Sequence, residues 1–145
     1  MRILLINGPN LGRLGLRQPE IYGTTTLAEV VEAVRARAAE VAPGSTVHAF
    51  RSNHEGAIID RIEQRDYDGV IINPGALAHT SYALHDALIG CERPVIEVHI
   101  SDIRAREPWR AVSVIEAAVD GQVIGKGWEG YLEAVDLIAG LARPA

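Results

Sequence analysis

The chain has one cysteine, one lysine and few aromatic residues, and each scarcity removes a class of function. Cys91 alone excludes an intrachain disulfide and is neutral about metal sites, which would need partners at ligand spacing; it reads as an inert residue at a helix end. Lys126 is the only lysine, so any Schiff-base chemistry would have to run through it. Aromatic residues make up 5% of the chain, which leaves few rings to sandwich a flavin. No apolar run approaches the ~20 residues that span a bilayer. The apolar run in Met1–Asn10 is short, lacks a signal-peptide pattern and reads as a buried strand, so a cytoplasmic protein is expected. Nineteen acidic against fourteen basic residues, a net charge of -5, argue against nucleic acid or an anionic membrane as the main partner. Also missing are a glycine-rich dinucleotide or P-loop motif, a nucleophile elbow and any cluster of metal ligands. What remains is acid–base work on a small anionic molecule.

What is present is a core and an alternation. Apolar residues are 48% of the 145, enough for one domain spanning residues 1–145. Arg2 to Asn7 reads as a strand buried on both faces. Thr26-x-x-Glu29 is a capping box, and Leu27, Val30, Val31, Val34, Ala38 and Val41 recur at helical spacing. A second strand is expected over residues 45–51. Ser52-x-x-Glu55 reads as another capping box, opening a helix that buries Ile58, Ile59 and Ile62. A third strand follows over residues 70–73, then a helix over about 82–90 capped by Thr80 or Ser81. A fourth strand covers residues 95–100, one helical turn falls within residues 112–119, and a short fifth strand covers 121–125. A last helix follows, with the face Tyr131, Leu132, Val135, Ile138, Ala139 and Ala142. Strands alternating with helices predict an α/β, flavodoxin-like three-layer sandwich, with a five-stranded parallel sheet in the order 2-1-3-4-5. Ligands of such sheets sit beyond the carboxyl ends of the strands, at the switch point between strands one and three.

The residues at those ends are Asn7 and Asn10, Asn73 and His79, and His99 and Ser101. Glu97 and His99 share one strand face, so Glu97 is expected to pair with His99 or another donor and to favour a protonated imidazole able to act as general acid. The stretch from Asn7 to Tyr22 is long for a strand-to-helix connection, usually about 2–6 residues, and reads as a lid. It ends in Tyr22 and carries Arg13 and Arg17. A guanidinium beside the phenol would favour the phenolate and make Tyr22 a base; otherwise Tyr22 packs against the first helix. Arg104, Arg106 and Arg110 follow the fourth strand and could bind an anion or hydroxyls. Ser101 and the backbone N–H of Ile100 could hold a carboxylate. A phosphate- or flavin-binding module using Thr24 to Thr26 at the first helix is the alternative.

These residues together resemble a known family, the type II 3-dehydroquinate dehydratases. The resemblance runs through Asn7-Gly-Pro-Asn-Leu11, Pro19-Glu-Ile-Tyr-Gly23, Ser52-Asn53-His-Glu-Gly56, Ile72-Asn-Pro-Gly-Ala76 with His79-Thr-Ser81, Glu97-Val-His99 with Ser101, Arg106-Glu107, and Gly125-Lys-Gly127 with Gly130-Tyr131. It implies a flavodoxin-like fold, no metal or cofactor, a homododecamer built as a tetramer of trimers, and dehydration of 3-dehydroquinate to 3-dehydroshikimate in the shikimate pathway. It further implies Tyr22 as base with Arg17 beside it, Asn10 as the enolate stabiliser acting through a water, His99 as general acid and Glu97 as its orienter. Ile100 and Ser101 would bind the carboxylate, Asn73, His79 and Arg110 the ring hydroxyls, and Asp86 would reach in from a neighbouring subunit. Many members have asparagine where Gly12 stands and glutamine where Arg51 stands.

Overall fold

The computed structural model describes residues 1–141. Five parallel strands, β1 (Arg2–Asn7), β2 (Thr46–Arg51), β3 (Gly69–Asn73), β4 (Val95–His99) and β5 (Gly121–Ile124), form one sheet in the order β2-β1-β3-β4-β5. This is the expected flavodoxin-like order. Between them lie α1 (Pro19–Tyr22), α2 (Leu27–Val41), α3 (Glu55–Glu63) and α4 (Tyr82–Gly90), and α5 (Gly130–Leu141) follows β5. Ala142, assigned to the last helical face from sequence, lies outside the described residues.

The two-residue period of the strands sorts the core into two layers. Ile3 and Leu5 of β1, Ile71 of β3 and Ile96 and Val98 of β4 pack with Val30, Val34 and Ala38 of α2 and Val135 and Ile138 of α5. Leu4, Ile6, Val70, Ile72 and Val95 face the other way, onto Ile58 and Ile62 of α3 and Leu84 and Leu88 of α4. The central strands are therefore apolar at nearly every position, and each fully buried Ile or Leu contributes about 1.5–3 kcal/mol. The same alternation sends Glu97 and His99 to the α3/α4 side of the sheet, and Asn7 and Asn73 to the α5 side.

Helix ends follow local chemistry where no distant group competes. Thr26 caps α2 by accepting from the Glu29 N–H, while the Glu29 carboxylate reaches back to the Thr26 N–H, the reciprocal box read from sequence. Ser81, not Thr80, caps α4 by accepting from the Leu84 N–H at 3.0 Å. The second predicted box does not form. His54, not Ser52, stands at the N-cap of α3; Ser52 Oγ accepts instead from the His54 N–H at 3.0 Å, and the Glu55 carboxylate turns away to accept from Ser81 Oγ at 2.5 Å. A tertiary acceptor for Ser81 thus outcompeted a local motif. Within residues 112–119 the only helical piece is a 3-10 turn, Glu116–Ala118. The long connection after β1 is ordered by a 3-10 turn, Leu11–Arg13, and by α1, whose Pro19 stands in the first turn.

Candidate active site

The β1 and β3 exits approach so closely that their glycines have no room for a side chain. A Cβ on Gly8 would lie 2.6 Å from the Pro74 carbonyl oxygen. One on Gly75, whose φ is +57°, would lie 2.9 Å from that of Pro9. This interlock seats Asn10 in the left-handed region, φ 70°, with its N–H donating to Asn53 Oδ1 at 3.0 Å. Asparagine tolerates that conformation better than most residues.

Beyond these exits the loops form a small cavity open to solvent at its mouth. Its walls carry Asn10, Arg17, Tyr22, Asn73, His79, His99, Ile100, Ser101, Arg106 and Arg110. The residues that the resemblance assigned to the site therefore converge, apart from two, while Arg13 and Arg104 do not line the cavity. Glu97 lies beneath His99, fully buried. Asp86 stands away on α4, its side chain 84% exposed along a groove between α3 and α4. Three guanidinium groups in one small cavity suit an anionic ligand despite the acidic chain.

On one wall, Glu97 Oε1 accepts from His99 Nε2 at 2.7 Å and from Ser113 Oγ at 2.8 Å, and Glu97 Oε2 accepts from Gln122 Nε2 at 2.7 Å. Burial alone would raise the carboxyl pKa; the bonds from His99, Gln122 and Ser113 outweigh it and hold Glu97 below its ordinary value. The carboxylate is thus ionised, and it fixes the imidazole with Nε2–H toward Glu97 and Nδ1 free to carry a second proton. Ser113 and Gln122 were not read from sequence. Gln122 had one available signal, since it pairs in register with Glu97 across β4 and β5.

His79 lies beside His99, ring centroids 6.2 Å apart and planes 25° off parallel. Its Nδ1 lies 2.8 Å from the Val112 carbonyl oxygen, so Nδ1–H donates and Nε2 is left as an acceptor in the neutral ring. Burial lowers its pKa, as do His99 and Arg110 nearby, against a smaller pull from the Val112 bond. Trp109 meets His79 edge-on at 5.4 Å and carries Arg110 over its face at 4.0 Å, while Glu107 accepts from Arg110.

Tyr22 also lines the cavity, from the end of α1, and packs partly against the α2 side of the core. Arg17 lies over its ring, 5.0 Å from the centroid. The phenolic oxygen, however, accepts from Arg106 Nη1 at 2.8 Å, and the same nitrogen donates to Ser101 Oγ at 3.1 Å. Arg13 does not line the cavity. Among the two arginines expected beside Tyr22, Arg17 is there, and the direct hydrogen-bond partner is a third, from the loop after β4.

Other residues drop out. Lys126 donates to Glu133 at 2.6 Å on the surface, away from the cavity. Thr26 Oγ1 is engaged with Glu29, which removes it from a phosphate site. Among the described residues no three His, Cys, Asp or Glu side chains gather as a metal-binding group, and no helix is long and apolar enough to cross a membrane. A Cβ on Gly12 would fall 2.2 Å from Arg51 Nη1, so the Arg51 guanidinium lies against this glycine.

Comparison with known proteins identifies the family. The family model described as dehydroquinase class II matches residues 1–139. The chain is 51% identical to a catabolic 3-dehydroquinase of Aspergillus oryzae, over 94% of this chain and 90% of the relative. It is 49% identical to a 3-dehydroquinate dehydratase of Anoxybacillus flavithermus, over 99% of each. Its fold matches the crystal structure of a type II dehydroquinase from Butyrivibrio crossotus with a TM-score of 0.91 at 43% identity, covering 95% of this chain and 97% of that one. In sequence along nearly its whole length and in the fold that carries the site, the chain belongs to the class II dehydroquinases.

Proposed function

We propose that this enzyme dehydrates 3-dehydroquinate to 3-dehydroshikimate by an anti elimination, with Tyr22 as base and His99 as acid, both lining one cavity. The observation that carries the reading is the pair of supports behind those groups, Arg106 on the Tyr22 oxygen and Glu97 on the His99 ring. Tyrosinate removes a proton from the carbon next to the ketone, and the electron pair moves onto the ketone oxygen as an enolate. A guanidinium donating to the phenolic oxygen stabilises negative charge there before the proton arrives. Arg17 adds a second positive charge against the ring. Asn10 stabilises the enolate through a water. The enolate then collapses, expelling the hydroxyl, which His99 protonates from Nδ1; water leaves and a conjugated enone remains.

Binding follows the same division. Ser101 with the Ile100 N–H takes the carboxylate, while Asn73, His79 and Arg110 take the ring hydroxyls. Asp86 has no place in its own chain's cavity, and its proposed role requires a neighbouring copy within a homododecamer, which mass measurement in solution tests. Mixing the protein with 3-dehydroquinate tests the activity: the enone absorbance in the ultraviolet should rise, and a flat trace at substrate saturation overturns the reading.

A further inference from the structure

Tyr131 is one of two fully buried tyrosines, and unlike Tyr67, whose hydroxyl donates to the nearby Ile62 carbonyl, it spends its hydroxyl on two residues at the strand exits. It projects from the first turn of α5 and is fully buried. Asn73 Nδ2–H donates to Tyr131 Oη at 2.9 Å, and Tyr131 Oη–H donates to Asn7 Oδ1 at 2.6 Å. Asn7 and Asn73 are register partners at the ends of β1 and β3, so the phenol bridges the switch point of the sheet from below.

The direction of every bond in this chain is determined. The Gly75 N–H can only donate, and it donates to Asn73 Oδ1 at 3.1 Å, so the other end of that amide is the NH2 group. Tyr131 Oη must therefore accept from Asn73, which sends its own proton to Asn7. Burial raises the Tyr131 pKa, against a smaller opposing effect of the Asn73 bond, so the hydroxyl stays protonated and remains a donor. An asparagine side chain is otherwise free to turn end for end. Here it is held by one backbone N–H and one phenol. Packing alone would be served by phenylalanine, since a buried hydroxyl is costly unless bonded.

We infer that Tyr131 is a positioning residue that, together with the Gly75 N–H, holds the amide orientation of Asn73 and thereby what the cavity presents to the ring hydroxyls of the ligand. The inference rests on the reading of the cavity as a dehydroquinate site with Asn73 as a binding group.

A double-mutant cycle tests it. Tyr131→Phe should lower kcat/KM on 3-dehydroquinate roughly tenfold, mostly through KM, in the otherwise native enzyme, and less than about twofold when Asn73 is already alanine. Equal losses in both backgrounds would show a merely structural hydroxyl and overturn the inference. Asn7→Leu, which removes the acceptor for the phenolic proton, provides the same comparison should Tyr131→Phe not fold. If the native enzyme turns over no 3-dehydroquinate, the dehydratase reading fails. A crystal structure of whichever variant folds then judges the inference: a reoriented Asn73 side chain supports it and an unmoved one overturns it.

Discussion

Arg106 donates from one nitrogen to both the Tyr22 oxygen, 2.8 Å away, and Ser101 Oγ, 3.1 Å away. The group that supports the proposed base is thus tied to the loop that holds the proposed carboxylate site. Arg106→Ala should lower kcat about 10²-fold, the scale of losing one preorganised donor at a centre of developing charge. Arg106→Lys should recover part of it, because a single ammonium can reach the oxygen but not both partners with the same geometry. Steady-state kinetics on both variants checks this; an unchanged kcat in Arg106→Ala would remove the arginine from the reaction.

Tyr22→Phe keeps the ring under Arg17 and deletes only the oxygen. Turnover should fall by at least about 10³-fold while substrate still binds, because a base acts in the transition state more than in the ground state. Calorimetric titration with 3-dehydroquinate would show binding retained. Substantial turnover would assign the proton abstraction elsewhere.

Glu97→Gln should weaken both catalysis and stability. Three donors point at the carboxylate, and an amide cannot accept from all of them, a loss of about 1–3 kcal/mol. The pH dependence has a definite sign. The folded-state pKa of Glu97 lies below its unfolded value near 4.5, so its contribution is complete above that value and fades as pH falls through the lower folded value. The Tm difference between the native protein and Glu97→Gln should therefore be largest near neutrality and shrink in acid. A difference that stays constant down to about pH 3 would show that the ionised carboxylate is not what stabilises this site.

Gly75→Ala places a methyl 2.9 Å from the Pro9 carbonyl oxygen at a positive φ. Strain of this kind costs about 1–3 kcal/mol and here displaces the turn that seats Asn10. Thermal denaturation should show a lower Tm, and kcat should fall with it. Gly44→Ala, also at positive φ but with open space around it, should lower the Tm without the loss of turnover.

Much of the molecule was legible because much of it depends on near neighbours along the chain. Strand period two placed Glu97 and His99 on one face, and helical period placed Val30, Val34 and Ala38 inward, before any packing was known. The Thr26–Glu29 box formed because both partners lie within one turn and nothing else claims them. The Ser52–Glu55 pair has the same spacing, yet Glu55 was drawn to Ser81 across the α3/α4 interface. The asparagines and histidines at the strand exits converged as the topology required.

The sequence by itself determined the alternation of elements, the sheet order that follows from it, and the residue types delivered to the sheet's carboxyl edge, because periodicity and turn chemistry are local. Only the tertiary structure decided which side chains meet there. Arg106 reaches Tyr22 across 84 residues, Gln122 and Ser113 reach Glu97 across 25 and 16, and Tyr131 reaches Asn7 across 124. Hydrogen bonds of this kind depend on where folded loops and helix ends lie to within a fraction of an ångström, and no spacing along the chain encodes that distance.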